Sequence, residues 1–270
     1  MTGTLVEIFS SVQGEGLMVG ERQVFLRFGG CNLECAYCDT PAAKVAPPVC
    51  RVQRVNGGFK PAPPMGRVSE LPPPGWEEWA NPLSVEQVTE AVGRLVKPQS
   101  GLHHSAALTG GEPLLHAEFL VELLAMIGEL GLGAYLETNG TLAAELARVL
   151  PYLDVVAMDI KLPSCTKQAP LWETHERFLV VLAAGEDATR LDFAKCVVTA
   201  GCEPAEVERA ARMIAGIRPE MALVLQPVTA VRSDIAAPTP RQMLELQAVA
   251  KRHLATVKVI PQVHRVGGYL

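Results

Sequence analysis

The sequence predicts an α/β fold with a mostly parallel sheet, and three observations carry that expectation. Strand-like and helical segments alternate from about residue 83 to the end, the rhythm of βαβ units. Polar residues recur where strands finish, at Thr109, Glu137, Asp159 and Gln226, and in α/β folds those carboxyl ends face one crevice. Near the N-terminus a strand runs directly into three clustered cysteines, Cys31, Cys35 and Cys38. Barrel enzymes present their ligands on such strand-end loops.

Taken in order, 5–9 reads as a strand, followed by Ser10-Ser11-Val12-Gln13-Gly14-Glu15-Gly16. Two glycines around a carboxylate let the backbone approach a ligand closely, though the same residues also suit an ordinary solvated turn. Residues 24–28 form the next strand, and Gly29-Gly30 permits a tight exit. From Pro41 to about Pro82 the prolines crowd together, which opposes a regular helix or a central strand. The stretch 41–82 reads as an insertion or lid within a single domain of residues 1–270. Within it, 49–55 forms half of a small hairpin, and Trp76 and Trp79 pin the segment to the surface.

Regular structure resumes at Ser84, an N-cap with Gln87 three residues on. Val85, Val88, Val92 and Leu95 then line one helical face. Strands are expected at 105–109, 134–137, 155–158, 193–198, 223–225 and 257–260. Helices are expected at 114–130, 142–150, 174–184, 205–217 and 241–254. Gly110-Gly111-Glu112-Pro113 closes the first of those strands as a second ligand-facing loop, and Thr138-Asn139-Gly140 caps the next.

Composition bounds the function. With 270 residues, 49% of them apolar, the chain can bury a full core. A net charge of −5 without a Lys/Arg run argues against nucleic acid. No apolar run approaches a membrane span and no signal-peptide pattern opens the chain. Seven cysteines, three of them clustered, suit a reducing, cytoplasmic setting.

Three thiolates spaced as Cys31, Cys35 and Cys38 can converge on one metal centre, and most iron–sulfur cubanes take four. One iron is then left for a small molecule to chelate. A zinc site or plain buried thiols are the bland alternatives, but zinc usually needs a second Cys or His pair at a set distance. Cys50 and His103-His104 stand alone. Cys50, Cys165, Cys196 and Cys202 are too irregularly spaced for an auxiliary cluster and read as ordinary, partly buried thiols.

Together, Glu7-Ile8-Phe9, Gln13-Gly14-Glu15-Gly16, Arg27, the cysteines, Asp39-Thr40, the Gly110–Pro113 loop, Gln226-Pro227 and Pro261-Gln262-Val263-His264-Arg265 resemble the 7-carboxy-7-deazaguanine synthases. These are radical S-adenosylmethionine (SAM) enzymes of queuosine and deazapurine biosynthesis. The resemblance implies a partial (incomplete) βα barrel of the radical SAM type, carrying the proline-rich insertion after its cluster loop. It implies conversion of 6-carboxy-5,6,7,8-tetrahydropterin to 7-carboxy-7-deazaguanine with release of ammonia. A [4Fe–4S] cluster on Cys31, Cys35 and Cys38, SAM, and Mg²⁺ on Thr40 are the implied cofactors.

The implied SAM contacts are Tyr37, Cys38, Asp39, Gly111, Asp159, Ile160, Lys161, Gln226, Pro227, Val228 and Thr229. Implied substrate contacts are Val12, Gln13, Gly14, Glu15, Arg27, Thr109, His264 and the terminal carboxylate of Leu270. A homodimer and a flavodoxin or ferredoxin-type reductant are implied as partners. The sequence departs from the family in the long segment after Thr40, and at Asp159-Ile160-Lys161, where the family often has Ser-Pro-Lys. A glycyl-radical-activating enzyme shares the cysteine spacing and the glycine–glutamate loop. An iron–sulfur electron carrier or a zinc-binding interaction module is the alternative of a different class.

Overall fold

The computed structural model describes residues 1–55, 75–185, 189–229 and 234–269. Among these, ten strands form one sheet: β1 (Leu5–Val12), β2 (Arg22–Phe28), β3 (Val49–Gln53), β4 (Trp76–Ala80), β5 (Ser105–Gly110), β6 (Gly133–Thr138), β7 (Val155–Asp159), β8 (Leu191–Val198), β9 (Ala222–Pro227) and β10 (Val257–Val259). Their order across the sheet is β10-β9-β8-β7-β6-β5-β2-β1-β3-β4. From β2 through β5 to β10 every neighbour is parallel, and β1 runs antiparallel beside β2. Each parallel strand lies next to its predecessor, so right-handed crossovers put the helices on one face and leave the other concave. The edges β10 and β4 do not pair with each other; the barrel is partial.

Alternation along each strand divides the side chains between the two faces. Leu108, Leu136, Val156, Met158, Ala194, Cys196, Leu223 and Leu225 pack into the large cluster that the helices cover. Phe9, Phe25, Ala107, Tyr135, Ala157, Phe193 and Val224 form a smaller cluster on the concave face. Above that cluster, toward the strand ends, the inward positions turn polar.

The helix after Ser84 spans Val85–Val96, with the reciprocal Ser84–Gln87 capping box in place and Val85, Val88 and Val92 buried. The expected helix 114–130 instead starts as a 3-10 turn, Pro113–His116, and becomes α-helical over Ala117–Glu129. The Glu112 carboxylate accepts from Leu114 N at 3.0 Å and tightens that first turn. The expected helix 142–150 is shorter, Ala143–Val149, and tightens into a 3-10 turn over Leu150–Tyr152, where Pro151 sits in the first turn. Two short helices went unforeseen, Pro163–Thr166 and Val263–Gly267.

In the proline-rich stretch, β3 lies parallel to β1 and β4 lies antiparallel to β3, extending the sheet. Prolines 61, 63, 64, 72, 73 and 74 lie outside the described residues. Trp76 does not pin the segment to the surface. It is 2% exposed and joins the inner cluster, since its inward position on β4 brings it beside Phe9.

Candidate functional site

The concave face opens into a cavity of about 830 Å³, near the upper end of the usual range for ligand sites. Three loops and the C-terminal segment surround it.

The cysteine loop leaves β2 through Gly29-Gly30. Cys31, Cys35 and Cys38 are free, half-buried and line the cavity. The loop is held from below by Ala36 N donating to Thr166 O at 3.0 Å. Burial pushes the Cys31 and Cys35 thiols up, and the Lys161 ammonium works against it. No three His, Cys, Asp or Glu side chains among the described residues converge as ligands of a single ion. Thiolates that each take a different iron of one cluster stand farther apart than that.

The second loop follows β5. Gly111 N donates to Phe28 O at 3.0 Å and Glu112 N to Gly30 O at 2.8 Å, which locks this loop to the exit of β2. A Cβ at Gly111 would lie 1.9 Å from Gly30 O, so only glycine allows the two backbones to meet. Glu112 is fully buried and accepts from Leu114 N, Thr138 Oγ1 and Asn139 N. Burial nevertheless pushes its carboxyl up to about 7.

At the end of β7, alternation decides which of three neighbours reaches the cavity. Asp159 and Lys161 line it and pair at 2.7 Å. Ile160, between them, is fully buried in the helix-side core. Its side chain points through the opposite face of the sheet, which leaves the backbone of Ile160 for the implied SAM contact. His175 fixes this turn: its Nε2 accepts from Lys161 N at 3.0 Å, and its Nδ1 faces Gly140 O at 3.1 Å. Those partners set the tautomer, and burial lowers its pKa to about 4.

Three orphaned polar atoms mark the same wall. Tyr37 Oη, Asp159 Oδ1 and Gln226 Oε1 are buried without a hydrogen-bond partner, and all three residues line the cavity. Unpaired buried groups of this kind need a partner from outside the chain, a ligand or a water. Val228 and Thr229 line the cavity as well, whereas Pro227 does not.

The opposite wall is built by the Gln-Gly-Glu-Gly loop and the tail. Gln13 Nε2 donates to Gln23 Oε1 and Glu137 Oε1, both at 3.0 Å, and Thr109 Oγ1 donates to Glu137 Oε2 at 2.7 Å. Burial raises the Glu137 carboxyl. Glu15 pairs with Lys195 at 2.5 Å, and Gln262 Nε2 bridges Glu15 Oε1 at 2.7 Å and Asp39 Oδ2 at 2.8 Å. Burial would raise the Glu15 carboxyl, but the Lys195 ammonium, helped by both hydrogen bonds, holds it well below the usual carboxylate range. Val263 N donates to Gly14 O at 2.9 Å. A Cβ at Gly14 would lie 2.2 Å from His264 Nδ1, so this glycine lets the tail seat on the loop.

Val12, Arg27, Asp39, Thr40 and His264 also line the cavity. Leu270 lies outside the described residues. Cys50, Cys165 and Cys196 are buried and Cys202 is half-buried, all away from the cavity lining.

Sequence reasoning missed Lys195, Glu7 and Trp76, which line the cavity too. Lys195 carried a signal: it shares strand parity with Phe193 and Val197, both apolar, in β8.

The sequence matches the Radical SAM superfamily over residues 26–208. It is 42% identical over 268 residues to the 7-carboxy-7-deazaguanine synthase of Geobacter sulfurreducens, covering 98% of this chain and 97% of that one. The chain belongs to the 7-carboxy-7-deazaguanine synthase family. The Methanothermobacter thermautotrophicus member is 34% identical over 284 residues, covering 99% of this chain and 98% of its own. The crystal structure of QueE from Escherichia coli shares the fold with a TM-score of 0.57 at 18% identity, covering 98% of this chain and 95% of that one. A radical SAM enzyme needs a cluster and SAM, and the three cysteines, the close approach at Gly111 and the orphaned polar atoms fit both. Among the described residues no helix is long and apolar enough to cross a membrane.

Proposed function

We propose that this enzyme converts 6-carboxy-5,6,7,8-tetrahydropterin to 7-carboxy-7-deazaguanine with release of ammonia. One observation carries the reading: a single cavity is walled on one side by the cysteine loop, Gly111, Lys161 and Gln226, and on the other by Gln13, Arg27, Thr109 and His264. When bound, the cluster and SAM would supply radical chemistry at the substrate; that chemistry belongs to the cofactors.

The chain's own part is placement. Cys31, Cys35 and Cys38 hold the cluster. Gly111, Asp159, Lys161, Gln226, Val228 and Thr229 surround SAM, beside Tyr37 and Asp39. Arg27 offers a planar fork suited to the pterin carboxylate. Gln13, Thr109 and Glu137 form one hydrogen-bonded unit that turns its polar edge toward the ring, and Phe9 and Phe25 exclude water beneath it. Thr40 caps nothing with its side chain and offers an oxygen to Mg²⁺, a hard ion that keeps several waters. The reductant is a flavodoxin or ferredoxin, the assembly is a homodimer and the setting is cytoplasmic.

The test is anaerobic reconstitution followed by incubation with SAM, dithionite and the tetrahydropterin, read by mass spectrometry. The 7-carboxy-7-deazaguanine mass should appear, and Cys31→Ala, Cys35→Ala and Cys38→Ala should each abolish it. Full turnover by Cys35→Ala would sink the cluster assignment. SAM cleavage without a deazapurine product would reject the substrate.

A further inference from the structure

The hairpin after the cysteine loop supplies two side chains that the reading above leaves unused, Arg51 and Trp76. Trp76 lines the cavity, its ring centroid 6.2 Å from that of Phe9, and Phe9 stacks on Phe25 at 5.1 Å. Arg51, on the partner strand, lays its guanidinium over the Trp76 ring at 5.7 Å. Arg51 Nη2 donates to Glu7 Oε2 and Arg27 Nε to Glu7 Oε1, each at 2.8 Å. One carboxylate thus holds two guanidinia, and with Glu7 only 7% exposed water screens the group little.

Two consequences follow from this geometry. The three side chains carry one net positive charge, and with Asp39 and Glu137 also acting on Arg27 the feature that meets an anion is the Arg27 guanidinium edge itself. Arg27 also engages Glu7 through Nε alone, and no hydrogen bond from its Nη1 or Nη2 is present among the described residues. Its two terminal nitrogens stay available on the cavity side, while Arg51 takes the second oxygen of Glu7.

We propose that Arg51 is a positioning residue which, by holding Glu7, keeps the Arg27 fork open and sets the selectivity of the site for a carboxylated heterocycle, while Trp76 completes the apolar wall that takes the ring's flat face. This inference rests on the proposed function and names what selects its substrate. Without Arg51, the Arg27 fork closes onto both oxygens of Glu7, since bidentate pairing is the favoured geometry, and the ligand's carboxylate loses its partner. Trp76 acts differently: its contribution is contact area, indifferent to whether the ring bears a carboxylate.

The experiment uses 6-carboxypterin and unsubstituted pterin, fluorescent heterocycles that differ by one carboxylate, titrated into the reconstituted protein with SAM. Wild type should prefer 6-carboxypterin. Arg51→Met should lose about tenfold of that preference, the size of one charge-assisted hydrogen bond, with affinity for pterin unchanged. Arg51→Lys should keep most of the preference. Trp76→Ala should weaken both ligands by a similar factor, about tenfold, and leave their ratio alone. If Arg51→Met does not fold, Arg51→Gln is read instead, and the same loss of preference is expected because its amide brings no charge. An unchanged ratio in the Arg51 variants, or equal weakening of both ligands, overturns the positioning role. Wild-type affinity for both in Trp76→Ala overturns the wall. If wild type binds neither heterocycle, the functional reading falls with this one. If wild type binds with the expected preference and the variants match it, only this inference falls.

Discussion

Lys195→Met removes the cation that compensates Glu15 without adding bulk. In the native chain Lys195 Nζ lies 2.5 Å from Glu15 Oε2 and 3.9 Å from Asp159 Oδ2, with side-chain exposures of 10% for the lysine and 15% for Glu15. Breaking a buried pair by deleting one partner costs about 3–5 kcal/mol. Asp159 keeps Lys161 at 2.7 Å and Glu15 keeps Gln262 at 2.7 Å. Those remaining partners, and the residual solvent, place the loss at the low end, about 3 kcal/mol at pH 7. The pH dependence gives a sharper signature. Burial raises the Glu15 carboxyl, and the Lys195 charge, with the hydrogen bonds from Gln262 and Lys195, more than reverses it. A depressed folded pKa contributes stability that is fully present above the unfolded value of about 4.3 and is lost as pH falls below it. In the variant burial prevails, so the folded pKa lies above the unfolded one and stability grows as pH falls from neutrality toward about 4.3. Urea unfolding of the oxygen-free, cluster-free chain at pH 7 and pH 5 reads both effects. The deficit relative to wild type should be about 3 kcal/mol at pH 7 and smaller at pH 5. A deficit under about 1 kcal/mol, or one that does not change with pH, would refute the buried-pair reasoning.

Gly111→Ala forces a Cβ to within 1.9 Å of Gly30 O, so the two loops must part. Stability should fall by at least about 1–3 kcal/mol, and equilibrium dialysis should show SAM retention lost. Glu112→Gln tests the carboxyl that burial holds at about 7. A raised folded pKa means wild-type stability declines as pH rises from about 4.3 toward 7, and the glutamine should flatten that slope. It should also cost about 1–3 kcal/mol, because its amide NH₂ cannot accept from all the donors that meet Glu112; unfolding curves at several pH values check both. Tyr269 lines the cavity and Tyr269 N donates to His264 O at 3.0 Å. Extending the chain beyond Leu270 should therefore leave SAM binding intact but weaken use of the pterin, and cleaving the tag should restore it; equal kinetics for both forms would place the tail outside the site.

The sequence by itself determined the parts whose chemistry is local. Cys31, Cys35 and Cys38 lie within eight residues, Gly111 needs only its own backbone to be recognised, and the strand-end positions of Thr109, Glu137, Asp159 and Gln226 follow from a period of two. The same period separates Asp159 and Lys161 from Ile160, so the opposite facing of the Ile160 side chain was legible in the pattern alone. Tertiary structure decided the pairings between distant segments. Lys195 meets Glu15, Gln262 meets Glu15 and Asp39, and Gly14 receives His264 only because the curved sheet brings β8, the N-terminal loop and the tail to one opening. Trp76 and Arg51 reach Phe9 and Glu7 because β3 adds alongside β1, in a stretch whose proline content argued against central strands. Local propensity and periodicity record which face a residue takes; which residue stands opposite across the cavity depends on strand order and curvature, and those arise from packing the whole chain.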